Sequence, residues 1–200
     1  AYQTAYLKVH HTASFIAANL CMVMDDGDKM RLFINDAAEN GVALLMPDIN
    51  QSEWFFSVPD EHHIRFGLGG IKGVSRAVVD ELVKAREEGG PFTDIFDFAA
   101  RVPGLNAKFF EGFIKAGAFD SIDPDRGKLF GNIGQALGAA QSLKQNAGQD
   151  SLFAEPGQTE KIVSWVDAPS WSERRKLAEE KSILGFWLTG HMFDQYREEL

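Results

Sequence analysis

IKGVSRAVVDELVKA (71–85) and VPGLNAKFFEGFIKA (102–116) hold the residues whose types and spacing are best suited to chemistry in this 200-residue chain. In each stretch a glycine (Gly73, Gly104) precedes an apolar residue (Val74, Leu105) and then a small polar one (Ser75, Asn106). Glycine takes positive φ at low cost and lets another backbone come close. Ser and Asn are good helix N-caps. The unpaired amides of such a hairpin and of the first helical turn point outward at the positive end of the helix, an arrangement that takes a phosphate. Arg76 and Lys108, at the start of the helix in each copy, add charge-assisted contacts.

The two stretches repeat one another at a shift of 31 positions, from Gly73 to Gly104. Val78-Val79 answers Phe109-Phe110, and Leu82-Val83 answers Phe113-Ile114, so each copy presents one apolar helix face. An acid at the same offset (Asp80, Glu111) and a closing Lys-Ala complete the match, with Gly89 and Gly117 expected to stop the helices. This is the pattern of the helix-hairpin-helix motif, a sequence-independent binder of the DNA backbone. The commonest form has a second glycine where Ser75 and Asn106 stand. Asn tolerates left-handed backbone and Ser less so, which leaves the amide geometry of the first copy open.

A second stretch suits recognition rather than catalysis. QDSLF (Gln149, Asp150, Ser151, Leu152, Phe153) lies between Gly148 and Pro156-Gly157, in a segment that reads as loop. An extended segment can place an adjacent Leu and Phe together in an apolar pocket while a Gln amide makes oriented hydrogen bonds at the rim.

Other candidates carry ordinary explanations. His10-His11 and His62-His63 are adjacent pairs, which point apart on a helix or strand, and no CxxC or HExxH spacing supports a metal. Asp25, Asp26 and Asp28 read as a turn and a cap; a calcium loop needs more acidic ligands and a closing Glu. Trp54, Phe55 and Phe56 are expected to pack a small β element against helices, and SERRKLAEEKS to be a solvated face. No nucleophile–base pair and no GxxxxGK[ST] loop is present, so catalytic and metal-ligating residues are expected to be none.

The elements that must position these residues are mainly helical. Residues 1–24 predict two helices broken near His10-His11, and Asp28 is expected to cap a third helix running to about Asn40. VALLMP, EWFFSV and HIRFGL predict short strands. Helices follow at about 75–88, 93–101, 106–116 and 125–146, then loop over 147–170, a charged helix at about 172–182, and a short terminal helix after His191. The fold expected is mainly α with a small β element.

With 44% hydrophobic and 24% charged residues the composition suits a globular protein with a real core. The net charge of −9 argues against a whole-surface nucleic-acid binder but leaves a local footprint open. Cys21 has no internal disulfide partner, and no apolar run reaches the roughly 18 residues of a membrane span. A cytoplasmic location without membrane is therefore expected. Ala1 stands inside what reads as a helix already under way, so a longer polypeptide is expected.

AYQTAYLKVHHTASFIAANL, MPDIN, IRFGLGGIKGV, FIKAGAFDSI, GQDSLF and ILGFWLTGH together, in this order, resemble the C-family replicative DNA polymerases of bacteria, the alpha subunits of DNA polymerase III. The resemblance runs from Ala1 to Leu200. It implies that residues 1–40 close a fingers domain, with Tyr2 and Lys8 matching its closing segment. Residues 41–147 would then form a small β element with a tandem helix-hairpin-helix region, and 148–200 a clamp-binding motif and linker toward a following OB domain. The palm carboxylates that hold two Mg2+ ions lie upstream of this stretch in the family, so no cofactor is expected here and the segment alone is expected to be inactive. Partners implied are duplex DNA, the beta sliding clamp through Gln149–Phe153, and other polymerase III holoenzyme subunits. Two readings from other classes stand beside it. One is a free-standing helix-hairpin-helix adaptor or repair scaffold; the weaker is a metal-dependent hydrolase using the histidines and Asp25–Asp28.

Overall fold

A computed structural model describes residues 2–148 and 164–189. The chain opens with α1 (Tyr2–His10), α2 (Thr12–Met22) and α3 (Gly27–Glu39). The first break falls at His11, as expected, with φ −139° and ψ 50°. The cap of α3 is Asp26, whose carboxylate accepts the Lys29 amide at 3.1 Å; Asp28, expected in that role, sits inside the first turn. Lys8 pairs with Asp36 at 2.9 Å, tying α1 to α3.

Strands β1 (Ala43–Leu45), β2 (Ser57–Asp60) and β3 (His63–Arg65) form a sheet in the order β1-β3-β2. Leu44 lies opposite Ile64 in the parallel pair, and Ser57 opposite Arg65 in the antiparallel one. The strands are shorter than the apolar runs. Residues 53 and 54 instead lend their carbonyls to the turn that follows β3, where Leu68 N–H donates to Glu53 O at 2.8 Å and Gly69 N–H to Trp54 O at 3.0 Å. Cys21 packs beneath the sheet, its thiol donating to Phe56 O at 3.7 Å, and burial pushes its pKa up.

After a short 3-10 helix (Leu68–Gly70) come α4 (Arg76–Gly89), α5 (Ile95–Arg101), α6 (Ala107–Lys115), α7 (Arg126–Gly131), α8 (Ile133–Gly148) and α9 (Glu173–Leu184). α4 ends on Gly90 at φ 77° rather than on Gly89. The single helix expected over 125–146 is two. Asn132, fully buried, ends α7 and turns its amide to the backbone of Val166, accepting its N–H at 2.7 Å and donating to its C=O at 2.9 Å.

One core runs through all of this, from Ile16 and Leu20 on α2 through Ile64 and Phe66 to Phe98, Phe110 and Phe113. Phe98 on α5 meets Phe110, Phe113 and Phe119 edge-on at 5.3, 5.9 and 5.1 Å between ring centroids. Such pairs add about 0.5–1.5 kcal/mol each beyond burial, and here they clamp α5 onto α6 across the Gly104 turn. The MPDIN stretch is a second clasp: Phe92 N–H donates to Asn50 Oδ1 at 2.7 Å, and Asn50 Nδ2 to Phe92 O at 3.0 Å. No helix among the described residues is long and apolar enough to cross a membrane.

Candidate nucleic-acid interface

The repeat folds as two hairpins with matching backbones. Gly73 and Gly104 both take left-handed conformations, with φ 80° and 73°. Ser75 (φ −95°, ψ 147°) and Asn106 (φ −130°, ψ 168°) are both extended N-caps. Ser75 Oγ accepts the Val78 amide at 3.4 Å, and Asn106 Oδ1 accepts the Phe109 amide at 3.0 Å. Neither position needs positive φ. A second glycine is therefore dispensable, because the side-chain cap holds the turn in its place.

The copies differ in what precedes the hairpin. The second is entered from a true helix, α5, whereas the first is entered from the 3-10 turn at Leu68–Gly70. That turn is held rigidly. A Cβ on Gly67 would lie 2.5 Å from the Phe55 carbonyl carbon, so only glycine lets the 54–56 backbone lie flush. The hairpins also pack on the fold differently. Val74 and Ile71 rest on α6, their Cγ2 atoms 3.5 and 3.6 Å from a Cβ placed on Gly112. Lys72 N–H donates to the Ile183 carbonyl of α9 at 3.2 Å.

Among the described residues, the amides of Gly73 and Ser75 in the first hairpin have no acceptor, and neither do those of Gly104, Leu105 and Asn106 in the second. These donors stand in front of α4 and α6, where helix-end partial charge favours an anion. Arg76, Asn106 and Lys108 are exposed, while Val74, Ser75 and Leu105 are half-buried. Arg76 Nε lies 3.7 Å from Asp80, and its guanidinium sits 5.5 Å from the centre of the Phe55 ring. Lys108 makes no ion pair among the described residues. Gln149, Asp150, Ser151, Leu152 and Phe153 lie outside the described residues, as does the helix expected after His191.

Three arginines and a glutamate missed in the sequence hold this face together. Arg101 Nη2 donates to the carbonyls of Ala85 and Gly90 at 2.6 and 2.7 Å, and its Nη1 pairs with Asp97 at 2.9 Å, fixing the end of α4 to α5. Arg86 reaches from α4 to the carbonyl of Ile49 at 3.1 Å. Arg126 grips Asp120 at 2.6 Å and faces Glu180 at 3.6 Å. Burial opposes Arg126's charge, but Asp120 and then Glu180 outweigh it and hold the pKa above its ordinary value. Glu180 overturns the expectation of a wholly solvated α9: its carboxylate is buried and accepts the Leu188 amide, the Thr189 amide at 2.9 Å and the Thr189 hydroxyl at 2.8 Å. Of these contacts the Asp97–Arg101 pair alone has a spacing signature, four residues apart on α5; the other partners lie on other elements or are backbone groups.

His63 Nδ1 pairs with Asp60 at 2.7 Å across the β2–β3 turn. Among the described residues no three of His, Cys, Asp and Glu are placed to hold an ion.

A family model described as a helix-hairpin-helix motif matches residues 41–129. The whole chain is 42% identical to DNA polymerase III subunit alpha of Neisseria meningitidis serogroup A. It is 38% identical to the subunit of the same name from Escherichia coli strain K12, and 36% to that of Xylella fastidiosa. Each similarity covers 100% of this chain but only 17–18% of the relative, so the chain spans less than a fifth of the curated relatives it matches.

Proposed function

We infer that this chain, homologous from end to end with one segment of the DNA polymerase III alpha subunit, is the part of such a polymerase that holds duplex DNA by its backbone and tethers the enzyme to the sliding clamp. The observation that carries the DNA reading is the pair of matched hairpins, each with a left-handed glycine, an extended polar cap and unpaired amides before a helix. Gly73, Val74, Ser75 and Arg76, with Gly104, Leu105, Asn106 and Lys108, are the contact residues in this reading. Neutral amides and a few cations read phosphate without reading bases, so binding is independent of sequence.

Residues 1–40 would belong with the fingers domain, 41–147 with the DNA-holding region, and 148–200 with the clamp tether and the approach to an OB domain. Gln149–Phe153 would dock on the clamp, Leu152 and Phe153 filling an apolar pocket. Two-metal phosphoryl transfer needs carboxylates that hold Mg2+ near the 3′ hydroxyl, and none is assigned to this chain. The chemistry belongs to the remainder of a longer, cytoplasmic polypeptide working with other holoenzyme subunits. A free-standing adaptor would need no end-to-end kinship with a polymerase, so the polymerase reading is preferred.

Equilibrium binding to several duplexes of unrelated sequence, over a range of salt, tests the DNA reading. Equal affinities that fall steeply and in parallel with salt are expected. A strong preference for one sequence, or no binding at low salt, would overturn it.

A further inference from the structure

The two hairpins match in backbone but not in surrounding charge. A methyl group placed on Gly73 would lie 3.4 Å from Lys108 Cε and 3.9 Å from its Nζ, whereas one placed on Gly104 would meet nothing within 4 Å among the described residues. Lys108 belongs to the second copy by sequence, yet its ammonium group lies beside the first hairpin. The position equivalent to Lys108 in the first copy is Ala77, and the one equivalent to Arg76 in the second is Ala107. Lys108 of the second copy therefore stands beside the first hairpin, whose helix opens with Arg76.

Arg76 is held there by an aromatic. Phe55 is 46% exposed although its neighbour Phe56 is buried. The hydrogen bonds from Leu68 and Gly69 to residues 53 and 54, with the close contact at Gly67, fix Phe55 relative to the hairpin. Its ring lies under the Arg76 guanidinium. The ring orients the guanidinium without neutralising it, and the exposed Asp80 carboxylate faces its Nε at 3.7 Å, which leaves the Nη groups for an oxyanion.

We propose that the first hairpin is a composite phosphate anchor built from both repeats: the Gly73 and Ser75 amides, Arg76 positioned by Phe55, and Lys108 crossing from the second copy. The second hairpin contacts the backbone through neutral amides alone. This rests on the DNA-backbone reading above and sharpens it. The ligand class is a phosphodiester of duplex DNA. Packing of Val74 and Ile71 on Gly112 keeps the α6 cation in register with the hairpin it serves.

The test is a titration of the 15N-labelled chain with a short random-sequence duplex at low salt, following backbone amide shifts. In the parent, the amides of Gly73, Ser75, Gly104 and Asn106 all move. In Lys108→Gln the shifts at Gly73 and Ser75 shrink while those at Gly104 and Asn106 persist. Affinity falls about two- to fivefold, and the slope of log affinity against log salt drops by about one. Phe55→Ala costs about two- to fivefold with the slope unchanged. Loss of shifts at Gly104 and Asn106 instead, or at neither hairpin, on replacing Lys108 would overturn the composite anchor while leaving the DNA reading intact. Unaltered affinity in Phe55→Ala would remove Phe55 from it. Failure of the parent to bind duplex at all would overturn both.

Discussion

Arg126 Nη1 and Glu180 Oε2 face each other at 3.6 Å, with side chains 3% and 0% exposed. The pair joins the turn after the second repeat to α9, and Glu180 also gathers the backbone of residues 188 and 189. Removing Arg126 leaves the buried Glu180 carboxylate with hydrogen bonds but no counter-charge, whereas Arg126 without Glu180 keeps Asp120. Arg126→Met is expected to cost about 3–5 kcal/mol, and Glu180→Gln less, because the amide keeps an acceptor for the backbone N–H groups. Urea unfolding followed by circular dichroism measures both; a loss under about 1 kcal/mol in Arg126→Met contradicts the anchor role.

The two caps should differ in worth. Asn106→Ala and Ser75→Ala each remove an N-cap acceptor, at a typical cost of about 1 kcal/mol. The shorter bond at Asn106, 3.0 Å against 3.4 Å, predicts the larger loss there. Thermal unfolding of the two variants ranks them, and a reversed order would show that the caps are not what holds these turns.

Asp125 makes the acid side of stability testable. The Ser170 hydroxyl, and after it the Lys128 amide, donate to its carboxylate and hold its pKa below the ordinary carboxylate value. A depressed folded pKa contributes stability above the unfolded value, about 3.9, that is lost as pH falls through the folded value. Ser170→Ala should therefore raise the Asp125 pKa, so that its contribution disappears at a higher pH. Carboxyl NMR titration reads this directly; an unmoved Asp125 titration would exclude Ser170 as the cause.

Much of this architecture was legible beforehand. The repeat, both hairpin glycines, both caps and the α1–α2 break at His11 follow from periodicity and local turn chemistry. What escaped was decided between elements distant in sequence. Asn132 ends α7 because Val166 returns to its amide, and Gly127 and Gly131 let residues 168–171 lie flush on that helix. Residues 53 and 54 look like strand but bond to the 3-10 turn instead. By sequence order Lys108 belongs with the second hairpin, while packing on Gly112 sets its ammonium group beside the first.

The proposed clamp tether can be tested independently of the hairpins. Truncating paired anchor residues commonly costs about 2–4 kcal/mol, so Leu152→Ala with Phe153→Ala should lower affinity for the sliding clamp by on the order of a hundredfold. Duplex binding should be unchanged. Surface-based affinity measurement with purified clamp decides it, and undiminished clamp binding would reject Gln149–Phe153 as the tether.

In the proposed DNA-holding role, Gly73 and Gly104 let phosphate approach unpaired amides. Replacing both with Ala puts a Cβ where the phosphate must come, and the left-handed backbone costs about 1–2 kcal/mol per site. Binding of a short duplex at low salt by this double variant, with its circular dichroism spectrum matching the parent, is the most direct measurement. At least a tenfold loss of affinity, equal across unrelated sequences, is expected. Binding as tight as the parent's by the folded variant would contradict it.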